Sequence, residues 1–245
     1  MTAMVSTVLR CSRGFRHPAA CCALLTVAAI LCGCTRAING TVHAVAPDGG
    51  PAEPIAVADL LIEPGRFPAQ YPAAVLDPNE AYRVLHEIDG VAAGSVVAPP
   101  ECAPPPVVAP HSAAVQGIDH LNAGRLIVTV TRPAPSLRAR VDQLAGCESF
   151  TSSLGDDVST VTVSLPPAPP VDADDSYAVD QTVTSASESS ESSETRMLTL
   201  VARIADVQVS AGWLLDGASE TASETQALDT LFADAVLKVR RLVPR

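Results

Sequence analysis

Proline is the residue that most limits how this chain can fold. Pro99, Pro100, Pro104, Pro105, Pro106 and Pro110 crowd around Cys102. Each proline ring removes a backbone donor and clashes with a preceding helical turn, so no regular element survives that density. Pro64, Pro68 and Pro72, with Gly65, break the apolar stretch from Leu60 to Val75. That stretch reads as a short strand or turn followed by an extended loop. Pro133 and Pro135 stop another apolar run.

The segments between these breaks carry clear periodicities. Asp77, Pro78 and Glu80 form a capping-box start with proline at the first helical position. Tyr82, Leu85 and Ile88 follow at helical spacing, His86 reads as an exposed position, and Asp89-Gly90 ends the helix. Residues 114–119 and 125–131 read as two strands joined by a turn at Asn122-Ala123-Gly124. In the second, Leu126, Val128 and Val130 alternate with Ile127, Thr129 and Thr131, a half-buried pattern. Ser136 caps a second helix with Leu137, Val141 and Leu144 on one face, and Gly146 closes it before Cys147. Residues 158–165 and 177–184 are further strands, and 197–209 reads as a long strand or bent hairpin reaching Trp213. Ser223 and Gln226 open a last helix, where Leu228, Leu231, Phe232, Ala235, Val239 and Leu242 line one face. Strands in succession with helices at separate points predict an α+β domain: an antiparallel sheet with helices packed on one face.

The chain of 245 residues opens differently. Arg10, Arg13 and Arg16 precede an apolar run from Pro18 to Leu31, which ends in Leu31-Cys32-Gly33-Cys34. The run has the length of a signal-peptide core and is too short to span a bilayer. Its last four residues resemble the bacterial lipobox. That resemblance implies cleavage before Cys34 and a diacylglycerol on its thiol, an anchor sufficient alone. Residues 1–33 are then a lipoprotein signal peptide. Residues 34–55, with Pro47, Gly49, Gly50, Pro51 and Pro54, are a lipidated tether, and 56–245 a single domain. The expected location is the extracytoplasmic face of the cell membrane.

Charge narrows the partners. Without residues 1–33, the chain carries 13 basic and 27 acidic residues, a formal −14. Such a surface repels phosphate backbones, which argues against nucleic acid, and has no polybasic attraction to anionic lipid. The membrane is therefore met through the lipid alone. Of seven cysteines, only Cys102 and Cys147 lie beyond Cys34. In an exported chain they most simply form one disulfide, the alternative being two buried thiols.

The run Asp59-Leu60-Leu61-Ile62-Glu63-Pro64-Gly65-Arg66-Phe67-Pro68 resembles the opening of a mycobacterial lipoprotein family of uncharacterised function. The proline-flanked Cys102, the helix ending at Cys147 and the closing Leu231-Phe232 helix share that resemblance. The pattern is also similar to the extracellular sensor domain of the mycobacterial serine/threonine kinase PknH. The resemblance implies a sensor-like or ligand-binding module with disulfide bracing around a cleft, and names no ligand.

No catalytic or cofactor motif is present: no GxSxG elbow, P-loop or GxGxxG occurs. His43 falls in the tether, and His111 and His120 fall near loops. Asp172, Asp174 and Ser176 match the first positions of a calcium loop, but Tyr177 replaces the required glycine, so an acidic turn is the better reading. No metal spacing surrounds the cysteines. Residues 185–194, rich in serine and glutamate, read as a mobile hairpin loop and a candidate for modification or partner binding. Trp213 reads as core and Arg66 as an ordinary surface residue. The sequence thus predicts a non-enzymatic, membrane-tethered, sensor-like or ligand-binding envelope protein without a cofactor. Its ligand or envelope partner is unidentified. Carriage of a lipid or other apolar molecule is the alternative, and it requires a cavity between sheet and helices. A structural or adhesive role is the third reading.

Overall fold

The computed structural model describes residues 55–187, 190–217 and 222–243; its elements run from 3-10 turns at Pro100–Cys102 and Ala109–His111, inside the proline-rich segment where no regular element was expected, to a last helix of 21 residues. The expected signal peptide, Cys34, His43 and nearly all of the expected tether lie outside the described residues. The described residues begin with α1 (Val57–Leu60), a 3-10 turn at Pro64–Arg66 and β1 (Ala73–Val75). Then come α2 (Pro78–Glu87), β2 (Val96–Ala98), β3 (Ser112–Asp119), β4 (Gly124–Thr131) and α3 (Leu137–Ala145). The remainder comprises β5 (Ser149–Leu154), β6 (Asp157–Ser164), β7 (Asp175–Ser187), β8 (Ser190–Ile204), β9 (Val207–Asp216) and α4 (Ala222–Leu242).

Local chemistry sets the helix starts. The Asp77 carboxylate accepts from the Asn79 and Glu80 amides at 2.8 and 3.0 Å, and Glu80 reaches back to the Asp77 amide. Ser136 Oγ accepts from the Ala139 amide at 3.3 Å and caps α3. α4 already runs at Ala222, so Ser223 is a helical residue rather than the residue before the first turn.

All nine strands join in one antiparallel sheet, ordered β1-β3-β4-β9-β8-β7-β6-β5-β2. The α+β class stands, and Cys102 and Cys147 lie at disulfide distance with Cα atoms 5.6 Å apart. The helix arrangement departs from one-face packing. Leu228, Leu231, Phe232 and Val239 of α4 pack on Leu126, Val128, Val209, Ala211 and Leu200. Val84 and Leu85 of α2, with Ile88 at its C-terminal cap, pack on Ile127, Met197 and Leu214, which point to the opposite face. Leu144 of α3 joins Phe150, Val161, Val163 and Val179 on that second face. The physical reason lies in the central strands. β4 is buried at five consecutive positions, Leu126 to Val130, and β9 at seven, Val209 to Leu215, so both faces need cover.

Of the two readings of residues 197–209, a long strand or a bent hairpin, the structure has the hairpin: β8 and β9 are joined by Ala205-Asp206 with Ala205 at φ +53°. One further expectation is corrected. The Ser/Glu segment 185–194 is not a loop: β7 and β8 stay paired out to Ser187 and Ser190, with residues 188–189 outside the description. Backbone bonds, and hydroxyl pairs such as Ser159 with Ser185 at 2.8 Å, sustain a polar ladder there.

Candidate functional site

The second sheet face carries a cavity of about 260 Å³ where α2, α3 and the proline-rich segment leave the strands uncovered. Its floor is three cross-strand rows, read from the pairing register. The first joins Ser112, Thr131 and Gln208, and the second places Ser210 beside Val201 and Tyr177. The third sets Thr199 beside Val179, and Gln181 follows one row on. Leu85 of α2, Ile88 at its C-terminal cap and Leu144 of α3 form apolar walls, and Pro105, Pro106, Val107 and Val108 close another side.

The disulfide positions that last wall. It ties Cys102, just before the prolines, to Cys147 at the end of α3. Gln143 Nε2 reinforces the junction by donating to the carbonyls of Glu101 and Ala103 at 2.6 and 2.8 Å. The proline-rich segment thus gains from α3 the hydrogen bonds that its own missing amides cannot supply.

Polar groups are concentrated here. Eight polar or charged side chains are buried among the described residues, and Ser112, Arg140, Gln181, Thr199 and Ser210 all line this cavity. The sheet face under α4 carries instead an apolar cluster. Ser112 and Thr131 hydroxyls lie 3.2 Å apart, and Gln208 Nε2 donates to Ser210 Oγ at 3.2 Å. Gln181 Nε2 donates to the Asp89 carbonyl at 3.1 Å, while its buried Oε1 has no partner among the described residues.

Every arginine at the cavity is paired. Arg140, 7% exposed, occupies an inward position on α3 and donates to Asp89 at 2.9 Å and Gln143 at 2.7 Å. Arg132 donates to Asp206 at 2.7 Å. Burial raises the Asp89 carboxyl above its ordinary 3.8, against the opposing pull of Arg140. Burial, then the Asp89 charge, push the Tyr177 phenol up to about 12. Because the folded state holds the Asp89 proton more tightly than the unfolded chain does, the contribution to stability is full below pH 3.8 and declines as pH rises through the folded value. A carboxyl-carbon NMR titration is expected to place the Asp89 midpoint above 3.8. A midpoint at or below 3.8 would mean that Arg140 outweighs burial.

The residues singled out from sequence fall into place unevenly. Trp213 is 3% exposed within the α4 cluster, as expected of a core residue. Arg66 is a surface residue whose side chain is 55% exposed and meets Asp234 at 2.5 Å. Asp174 accepts from Arg240 at 3.0 Å and from the Ala205 amide at 2.6 Å, which fixes the acidic turn. Among the described residues, no group of three or more His, Cys, Asp or Glu is placed to hold a metal. His86 is half-buried rather than exposed, its ring 4.7 Å from that of Tyr82. His120 is exposed, and His111 stands at the cavity rim with Nδ1 3.1 Å from the Arg132 carbonyl. The sequence reading missed the cavity residues, because Thr199 and Ser210 alternate with apolar neighbours as solvent-facing strand residues do.

No family model matches the chain, and no curated protein matches it. Among solved structures, it is similar to an X-ray structure of an uncharacterised Mycobacterium smegmatis protein, the Rv0999 ortholog. The two share 14% identity with a TM-score of 0.40, over 72% of this chain and 92% of that one. A likeness this loose transfers no function.

Proposed function

We propose that this protein is a membrane-tethered, non-enzymatic ligand-binding module of the cell envelope, sensor-like in that occupancy of its cavity is the signal. The observation carrying the reading is that five of the eight buried polar or charged side chains among the described residues line one cavity. Ligand sites combine apolar walls with a few placed polar groups in this way. Mutual pairing of Arg140 with Asp89 and of Arg132 with Asp206 leaves those groups engaged, which supports binding over chemistry. Size disfavours the carriage of a two-chain lipid. A volume of about 260 Å³ exceeds the roughly 150 Å³ that holds benzene and falls short of most drug-sized sites.

The tether is the second part of the proposal. Leu31-Cys32-Gly33-Cys34, after a short apolar run, supports lipidation of Cys34. No helix among the described residues is long and apolar enough to cross a membrane. Cys34→Ala is expected to abolish palmitate labelling and membrane partitioning while leaving the domain folded. A variant that still labels and partitions would remove the tether from the proposal.

Val201 is 3% exposed on the cavity floor, so Val201→Phe places a ring in the open space. A melting screen of small amphiphiles is expected to find compounds that stabilise the wild type and leave this variant unmoved. A ligand at a hundredfold its Kd adds about 2.7 kcal/mol. Equal shifts in both proteins would place the binding elsewhere.

A further inference from the structure

We infer that the cavity selects a neutral amphiphile about one ring in size, carrying a hydroxyl or carboxamide, over charged or purely apolar molecules of equal size. The inference rests on the binding reading above and names the ligand class for that same cavity.

Two costs fix the class. The first concerns charge. The guanidinium groups at the cavity already face carboxylates: Arg140 meets Asp89 at 2.9 Å and Arg132 meets Asp206 at 2.7 Å. An anion entering would lose its hydration without gaining an unpaired cation, and a cation would compete with arginines that are already seated. His111, at the rim, has Nδ1 3.1 Å from the Arg132 carbonyl and lies outside the sheltered floor.

The second cost concerns polarity. Thr199 and Ser210 are 3% and 2% exposed, and their hydroxyls stand on the middle strands of the sheet. A hydrocarbon filling the cavity would strip water from the half-buried Thr131 and Gln208 without replacing its bonds, and would offer the buried Thr199 and Ser210 hydroxyls no partner. Their present partners are weak or partial: Thr199 Oγ1 is 3.5 Å from the Ile88 carbonyl, and Ser210 accepts from Gln208 at 3.2 Å. A hydroxyl both donates and accepts, and a carboxamide does so through separate atoms, so either satisfies a floor of hydroxyls and an amide. The ligand's apolar part then lies against Leu85, Ile88 and Val107.

Three ring compounds of nearly equal size separate the possibilities: benzyl alcohol, toluene and benzoate. Each would be titrated into the full chain in detergent and followed by amide NMR shifts at cavity residues. Benzyl alcohol is expected to bind about tenfold more tightly than either of the others, the worth of one or two net hydrogen bonds. The double variant Thr199→Val and Ser210→Ala should bring benzyl alcohol down to the level of toluene. Retained toluene binding and an unchanged amide spectrum elsewhere would show that the variant is folded. If toluene or benzoate binds as well as benzyl alcohol, the ligand class fails and the binding cavity survives. If none of the three shifts the cavity residues at millimolar concentration, both proposals fail.

Discussion

Replacing Cys102 and Cys147 together by alanine is expected to lower the unfolding free energy by about 4 kcal/mol. The two positions are 45 residues apart in sequence, and cross-linking them removes the closure entropy of that loop from the unfolded chain. The bond ties the proline-rich segment to the end of α3, and both line the cavity. Urea unfolding of the variant and the wild type, each extrapolated to water with its own slope, measures the loss, and the slope should rise because the unlinked unfolded chain exposes more surface. A loss below about 1 kcal/mol would contradict the loop-closure account and mean that the unlinked chain stays compact when unfolded. The cavity should also weaken its grip on any ligand, because one of its walls would lose its covalent anchor.

Phe232→Ala is expected to cost about 3–5 kcal/mol, the range for deleting a fully buried aromatic side chain. Phe232 has no exposed surface and lies in the cluster that α4 shares with β4, β8 and β9. Its neighbour Leu237 is 44% exposed on the outer side of the same helix. Leu237→Ala should therefore change stability by no more than about 0.5 kcal/mol. Similar losses for the two variants would mean that α4 is rotated about its axis from the orientation described.

Much of the scaffold was legible in the sequence because it depends on short-range chemistry. Asp77, Pro78 and Glu80 start α2 through bonds between neighbours in the chain, and Ser136 starts α3 in the same way. The alternation in β6 and the stripe along α4 reflect single buried faces. Ile127 stood out as an apolar residue among threonines, yet one residue cannot reveal the helix that covers it. The two-residue turn at Ala205-Asp206 carries no Asn-Gly or Asp-Gly signal, so it left the β8–β9 junction open between a strand and a hairpin.

The cavity was not legible for a different reason. Thr199, Ser210 and Gln181 occupy strand positions where polar residues ordinarily face water, and only the packing of α2 and α3 over that face buries them. Arg140 sits on the inward side of α3, where the expected stripe ran through Leu137, Val141 and Leu144. Its burial depends on Asp89, 51 residues away in sequence, a pairing that no local pattern records. Long-range register brings these side chains together, and register is set by the whole sheet.

Native mass spectrometry of the detergent-extracted full chain, taken from the cells that make it, tests the binding cavity most directly. A resident ligand predicts a small neutral adduct on the wild type that is missing from Val201→Phe. A bare wild type, or the same adduct on both proteins, would contradict it.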